Sequence, residues 1–301
     1  MKTIFIDCNA QLGAIWQRVY RSDDPTVTIN TVPFEGNDLP RVIGDYDVAI
    51  DDHSYLPTEL VRQCKNLKHI VFLGTGAASY MNVAEIEALG VKVHTIKGYG
   101  DTAVAEQTIA LMMAACRDLA RMDRNIRSGT WAPLEGVQLF GKTLGIIGLG
   151  GIGAEVARIA KGMGMEVIAW NRSKRLGAIV PTVELDELLQ RSDIVSLNLT
   201  LNDDTRGFLD QKRIARMKPG VILVNTARGA LVDEEALIQA LKSGHIRHAG
   251  LDVFHSEPLK PDDPLARLEN VTLSAHAAFR TLEASMTLLR EAINIVKRVQ
   301  T

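Results

Sequence analysis

Three side chains able to hold an anion and move a proton stand just past three apolar runs. Val221–Asn225 leads into Thr226-Ala227-Arg228-Gly229, His248–Asp252 into Val253-Phe254-His255-Ser256-Glu257-Pro258, and Val271-Thr272-Leu273 into Ser274-Ala275-His276. A guanidinium grips a carboxylate as a fork and polarises a carbonyl oxygen beside it, which an ammonium does poorly. An imidazole gives or takes a proton near neutral pH, and a neighbouring carboxylate raises its pKa. Arg228, Glu257 and His276 together match what a 2-oxo acid needs on reduction: a grip on its carboxylate, a proton for its carbonyl oxygen, and a partner that keeps the donor charged. Singly, each has a plainer reading. Arg228 could cap a helix, Glu257 could cap the turn before Pro258, and His276 could be a satisfied core histidine.

Upstream, Thr143–Ile147 runs into Gly148-Leu149-Gly150-Gly151-Ile152-Gly153 and then into the helical Ala154–Met163. A G-x-G-x-x-G turn between a strand and a helix brings backbone N–H groups up to a pyrophosphate, so Gly148, Gly150, Gly151, Ile152 and Gly153 are predicted cofactor contacts. The next strand, Glu166–Trp170, would end in an acid if a ribose 2′-hydroxyl were recognised. It ends instead in Asn171-Arg172-Ser173-Lys174-Arg175. Cations and a hydroxyl there suit a 2′-phosphate, and predict that Asn171, Arg172, Ser173 and Arg175 favour NADP(H), with NAD(H) possible. The plain alternative is a solvated basic turn. Gly136–Thr143 fits the phosphate-loop pattern G-x-x-x-x-G-K-T, but it leads into a strand where that loop must open a helix.

The elements that must position these groups alternate along the chain. β-branched runs (Thr3–Asp7, Asp47–Ile50, His69–Leu73, Val91–Thr95 and those above) are separated by helical patterns such as Pro57–Cys64, Val83–Leu89, Thr102–Arg121 and Glu234–Ser243. That is the pattern of βαβ units and parallel sheets covered on both faces. The expectation is an α/β protein of two doubly wound domains with a cleft between them. Residues 1–97 with 278–301 make a substrate domain, and 98–277 a Rossmann cofactor domain; the last helical stretch, Leu282–Val299, packs back on the first half. With 46% hydrophobic and 23% charged residues and a net charge of −2 over 301 residues, nothing draws the chain to nucleic acid or a membrane surface. Cys8, Cys64 and Cys116 are scattered, with no metal-ligand spacing, as in a reducing compartment, and the expected location is cytoplasmic. His245 and His248 lack a third ligand type for a metal.

From Leu144–Gly153 through Asn225–Glu234, Leu251–Phe254 with Glu257-Pro258, and Ser274–His276, the chain resembles the D-isomer-specific 2-hydroxyacid dehydrogenases. The resemblance implies a Rossmann cofactor domain beside a flavodoxin-like substrate domain. It implies that Arg228 binds the substrate's carboxylate and carbonyl, that Glu257 pairs with the histidine, and that His276 is the acid/base. It also implies backbone amides at Thr75 and Gly76 on the substrate carboxylate, Asp252 on the nicotinamide amide, further cofactor contacts at Thr102, Thr226 and Ala227, and a homodimer built on Thr102–Arg121 and the arm to Gly141. The sequence departs from the family at Ala78–Asn82, where an acidic residue is usual, and at Arg280, where something small is usual. The loop Asp51-Asp52-His53-Ser54 faces the substrate's far end by resemblance. Two carboxylates there would repel a phosphate, which favours glyoxylate or hydroxypyruvate over another 2-hydroxy acid such as 3-phosphoglycerate. A non-catalytic, dinucleotide-sensing corepressor-like protein is the reading from a different class, disfavoured by the intact Arg228, Glu257 and His276.

Overall fold

The computed structural model describes residues 1–173 and 179–300. The chain forms two compact units, Met1–Gly100 with Arg280–Thr301, and Asp101–Phe279. Each is built on a sheet whose strands all pair in parallel.

The first unit has five strands: β1 (Thr3–Phe5), β2 (Val27–Ile29), β3 (Val48–Asp51), β4 (His69–Phe72) and β5 (Lys92–Thr95), in the order β2-β1-β3-β4-β5. Alternate residues point to opposite faces, as strand geometry requires. Phe5, Val48, Ile50 and Val71 join one core cluster, while Ile4, Ala49, Ile70 and Phe72 join another. The helix Leu282–Gln300 buries Leu288, Leu289, Ile293 and Val296 in the first cluster, beside Trp16 of the helix Ala10–Val19. Arg290 pins it there. Its guanidinium donates to both oxygens of Asp24 at 2.7 Å and to the Val19 carbonyl at 3.0 Å, and the Asp24 side chain is 1% exposed. The edge strand β2 was not among the expected strands; three half-exposed residues give too short a pattern to read.

The second unit has six strands: β6 (Thr143–Ile147), β7 (Glu166–Trp170), β8 (Ile194–Leu197), β9 (Val221–Asn225), β10 (Ile246–Leu251) and β11 (Val271–Leu273), in the order β11-β10-β9-β8-β6-β7. Along β9 the faces alternate cleanly: Val221 and Leu223 join one core cluster, Ile222 and Val224 the other. The expected single helix Thr102–Arg121 is instead two, Asp101–Cys116 and Leu119–Arg127. Asp118 breaks it with a φ of 50°, a left-handed conformation that aspartate tolerates better than most residues. The buried ring of His248 faces the Asp118 carboxylate, with Nδ1 3.2 Å from Oδ1. No helix among the described residues is long and apolar enough to cross a membrane.

Candidate active site

In each sheet the order of strands reverses at one place, and ligands in such sheets bind beyond the carboxyl ends of the strands there. In the second unit the reversal lies between β6 and β8. The turn Gly148–Gly153 follows β6, and Asn198 follows β8. Gly148 has a φ of 99°, and a Cβ on it would come within 2.5 Å of the Asn198 carbonyl oxygen. A Cβ on Gly153 would overlap the Gly148 carbonyl, so the helix Gly151–Gly162 can start this close to β6 only with glycine there. Gly151 packs on the Asp101 carboxylate, Ile152 lies against the core, and Gly150 faces open space with nothing within 4 Å of its would-be Cβ. No side chain caps the helix at Gly150, which leaves its first N–H groups and the positive end of its dipole toward that space. The Asn198 Oδ1 is buried without a hydrogen-bond partner among the described residues. Bare amides, open space and an unpaired acceptor at the reversal point fit a dinucleotide. Asn198 escaped the sequence reading, although it ends an apolar run as Asn225 does.

The basic turn after β7 is tied to this site. Asn171 Oδ1 accepts from the Leu149 N–H at 3.2 Å, and its Nδ2 donates to the Ser173 carbonyl at 2.9 Å and to Ser173 Oγ at 3.4 Å. The Asn171 side chain thus braces the turn against the glycine loop. Arg172 is exposed, and its Nη1 lies 3.3 Å from Asp204 Oδ2. Arg175 lies outside the described residues.

Strands β9, β10 and β11 are neighbours, so the segments after them emerge at one edge of the sheet. His276 Nδ1 lies 2.6 Å from Glu257 Oε2, and Glu257 Oε1 accepts from the Phe254 N–H at 2.9 Å. Burial alone would raise the Glu257 pKa. The hydrogen bonds from His276 and Phe254 and the charge of Arg228 outweigh it, holding the carboxyl below its ordinary value. His276 takes a φ of 48°, unusual for a side chain of its size. Asp252 holds it there. Fully buried, Asp252 accepts from Ser274 Oγ at 2.5 Å, Ala277 N–H at 3.0 Å and Ala278 N–H at 2.9 Å, and its carbonyl takes the His276 N–H at 2.8 Å. Gln107 donates to Ser274 Oγ at 3.2 Å, extending the support to the helix Asp101–Cys116. Arg228 is braced by the Asn225 amide, which donates to its carbonyl at 2.9 Å, while Asn225 Oδ1 takes the Ala227 N–H at 3.0 Å. The Thr226 hydroxyl lies 2.8 Å from that of Thr108 in the interior. Thr102 is exposed near the start of its helix.

In the first unit the reversal lies between β1 and β3, and the chain there closes on itself. Asp7, just past β1, accepts from the N–H groups of Asp52, His53 and Ser54 and from Ser54 Oγ, at 2.8 to 3.0 Å. Asp51 is fully buried. Burial and then the charge of Asp7 push its carboxyl well above the usual range. Apart from Asp7, Asp51 Oδ2 has no partner among the described residues. Asp52 is almost buried and pairs with His53 Nδ1 at 2.7 Å. The expectation of two carboxylates facing the substrate's far end is therefore corrected: Asp51 is an interior acid, and Asp52 is buried and paired with His53. After β4, Thr75 is exposed and Gly76 half-buried; among the described residues no hydrogen bond uses their N–H groups.

The chain belongs to the D-isomer specific 2-hydroxyacid dehydrogenases, whose NAD binding domain matches residues 109–278. It is an oxidoreductase that exchanges hydride between a nicotinamide dinucleotide and a 2-hydroxy/2-oxo acid. Among its relatives is a hydroxypyruvate reductase of Thermotoga maritima, 38% identical over 273 residues, 88% of this chain and 87% of that one. A glyoxylate reductase of Korarchaeum cryptofilum is 44% identical over 67% of this chain, which spans 64% of that relative. An acyclic imino acid reductase, Bsp5, solved with NADPH and D-Arg, superposes with a TM-score of 0.88 at 30% identity, covering 100% of this chain and 97% of its own.

Proposed function

We propose that this enzyme reduces glyoxylate or hydroxypyruvate with NADPH as the preferred reductant, in a cytoplasmic homodimer. The observation that carries the chemistry is the 2.6 Å imidazole–carboxylate pair standing beside Arg228 at one edge of the sheet. When bound, the reduced nicotinamide supplies hydride to the substrate carbon. Arg228 grips the substrate carboxylate and draws charge toward the carbonyl oxygen. Glu257 holds Nδ1 of His276, leaving Nε2 across the ring to deliver a proton to that oxygen, and in the oxidative direction to take it back. Thr75 and Gly76, after β4, offer backbone amides for a carboxylate. With Gly148 shaping the turn, the amides of Gly150, Gly151, Ile152 and Gly153 carry the pyrophosphate, Asn198 Oδ1 accepts from a cofactor hydroxyl, and Thr102, Thr226, Ala227 and Asp252 line the nicotinamide end. Arg172 and Ser173 meet the 2′-phosphate.

The names of the relatives support the substrate choice, and the NADPH bound by Bsp5 supports the cofactor choice. The buried Asp51 and the paired Asp52 weaken the charge argument against a phosphorylated acid, so 3-phosphoglycerate belongs among the substrates to be tested. Exposed Leu119, Ile126, Trp131 and Phe140, along the helix Leu119–Arg127 and the arm that follows, support a second copy as partner. Three cysteines without disulfides support a reducing compartment. The test is a panel of 2-oxo acids, including 3-phosphohydroxypyruvate, assayed with NADPH and NADH by loss of reduced-nicotinamide absorbance. Glyoxylate or hydroxypyruvate with NADPH should give the highest kcat/KM; turnover of no 2-oxo acid would refute the reading.

A further inference from the structure

An acid from elsewhere in the fold stands against the cation at the end of β7. Asp204 sits 32 residues beyond Arg172 in sequence, yet its carboxylate meets the guanidinium at 3.3 Å. Its position is fixed by a self-bonded turn. Asn202 N–H donates to Thr205 Oγ1 at 2.8 Å, Thr205 N–H donates to Asn202 Oδ1 at 3.0 Å, and Thr205 Oγ1 donates to the Thr200 carbonyl at 2.7 Å. Just beyond, Gly207 and Leu209 N–H donate to the Ala230 and Leu231 carbonyls at 2.8 and 2.9 Å. On the other side, Asn171 ties the turn bearing Arg172 to the glycine loop. Both partners of the ion pair are therefore carried on braced backbone, while their side chains are about three-quarters exposed.

We infer that Asp204 is a cofactor-specificity residue, a carboxylate that competes with the cofactor's 2′-phosphate for Arg172 and so moderates the preference for NADP(H) over NAD(H). The inference rests on Arg172 being the 2′-phosphate contact. A phosphate arriving at the guanidinium must displace Asp204 and then lie beside its negative charge, whereas a 2′-hydroxyl meets neither cost. Because the pair is exposed, the effect is modest and fades as salt rises.

The test is calorimetric titration of the purified enzyme, its Asp204→Asn variant and its Arg172→Ala variant with NADPH, NADH and 2′,5′-ADP, a probe that carries the phosphate without the nicotinamide. Asp204→Asn should tighten NADPH and 2′,5′-ADP by about three- to tenfold at low salt and leave NADH within about twofold. Unchanged NADPH binding, or equal tightening of NADPH and NADH, overturns the role of Asp204. Arg172→Ala should weaken NADPH and 2′,5′-ADP far more than NADH, and should shrink the effect of Asp204→Asn in the double variant to the repulsion that remains. An equal loss of NADPH and NADH in Arg172→Ala alone overturns the phosphate contact itself, and the inference with it.

Discussion

Both sheets reverse their strand order beside their first strand, and the two reversal points are finished in opposite ways. After β6 a would-be Cβ on Gly150 meets open space, no side chain caps the helix that starts there, and Asn198 adds an oxygen without a partner among the described residues. After β1 and β3 the amides of Asp52, His53 and Ser54 also converge, but Asp7 fills them with its own carboxylate. One geometry leaves the start of a helix uncapped; the other carries its anion in the chain. The difference shows that converging amides at a strand end mark a binding site only when no side chain of the protein satisfies them.

Several substitutions break or sharpen that contrast. The largest effect belongs to the second unit: His276→Ala should cut turnover by about 10²- to 10⁴-fold with the NADPH Kd, measured by fluorescence titration, held within about twofold. Preserved turnover would remove His276 from its proton-transfer role. On the closed side, Asp7→Ala empties the nest and strands the Asp51 carboxyl, and should lower stability in urea unfolding by about 3 kcal/mol; a loss below about 0.5 kcal/mol would mean that water serves the amides as well. Next in size is a pH effect. Burial lowers the pKa of His69 and His94, whose rings meet at 3.2 Å in the first unit, and of His248 in the second. A depressed histidine pKa means that the unfolded chain takes up protons first. Stability is therefore full above the ordinary value of 6.5 and should fall as pH drops below it; a flat profile between pH 7 and 5 would contradict this. Asp51 has the opposite sign, since its raised pKa favours the fold at low pH and costs stability as pH rises. Asp51→Asn, which keeps a neutral donor toward Asp7, should raise the unfolding free energy at pH 8 by about 1 kcal/mol, and a loss of that size would show that Asp51 is ionised.

The open side was the more legible in sequence. Glycines at fixed spacing and Arg228, Glu257 and His276 past apolar runs are patterns of residue type, and strands buried on both faces read as continuous apolar runs. What escaped depends on pairing through space. Asn198 looks like any polar residue ending a strand until its oxygen proves unpaired. Asp204 is an ordinary loop acid until the fold sets it against Arg172. Asp51 and Asp52 resemble a solvated charge pair, and only the sheet shows the first to be interior. The break at Asp118 lies inside a stretch whose helical pattern continues on both sides, because one left-handed residue leaves no mark on periodicity.

The Arg290–Asp24 clamp and the helix that carries it have a consequence for how the polypeptide matures. One face of the first unit's core is covered by residues made only after the whole second unit, Asp101–Phe279, has been translated. At 5–20 residues per second that interval is roughly 10 to 35 s. Throughout it, the nascent amino-terminal sheet keeps Phe5, Val48 and Val71 short of their final cover, a window for chaperone capture that the centrally encoded unit does not share.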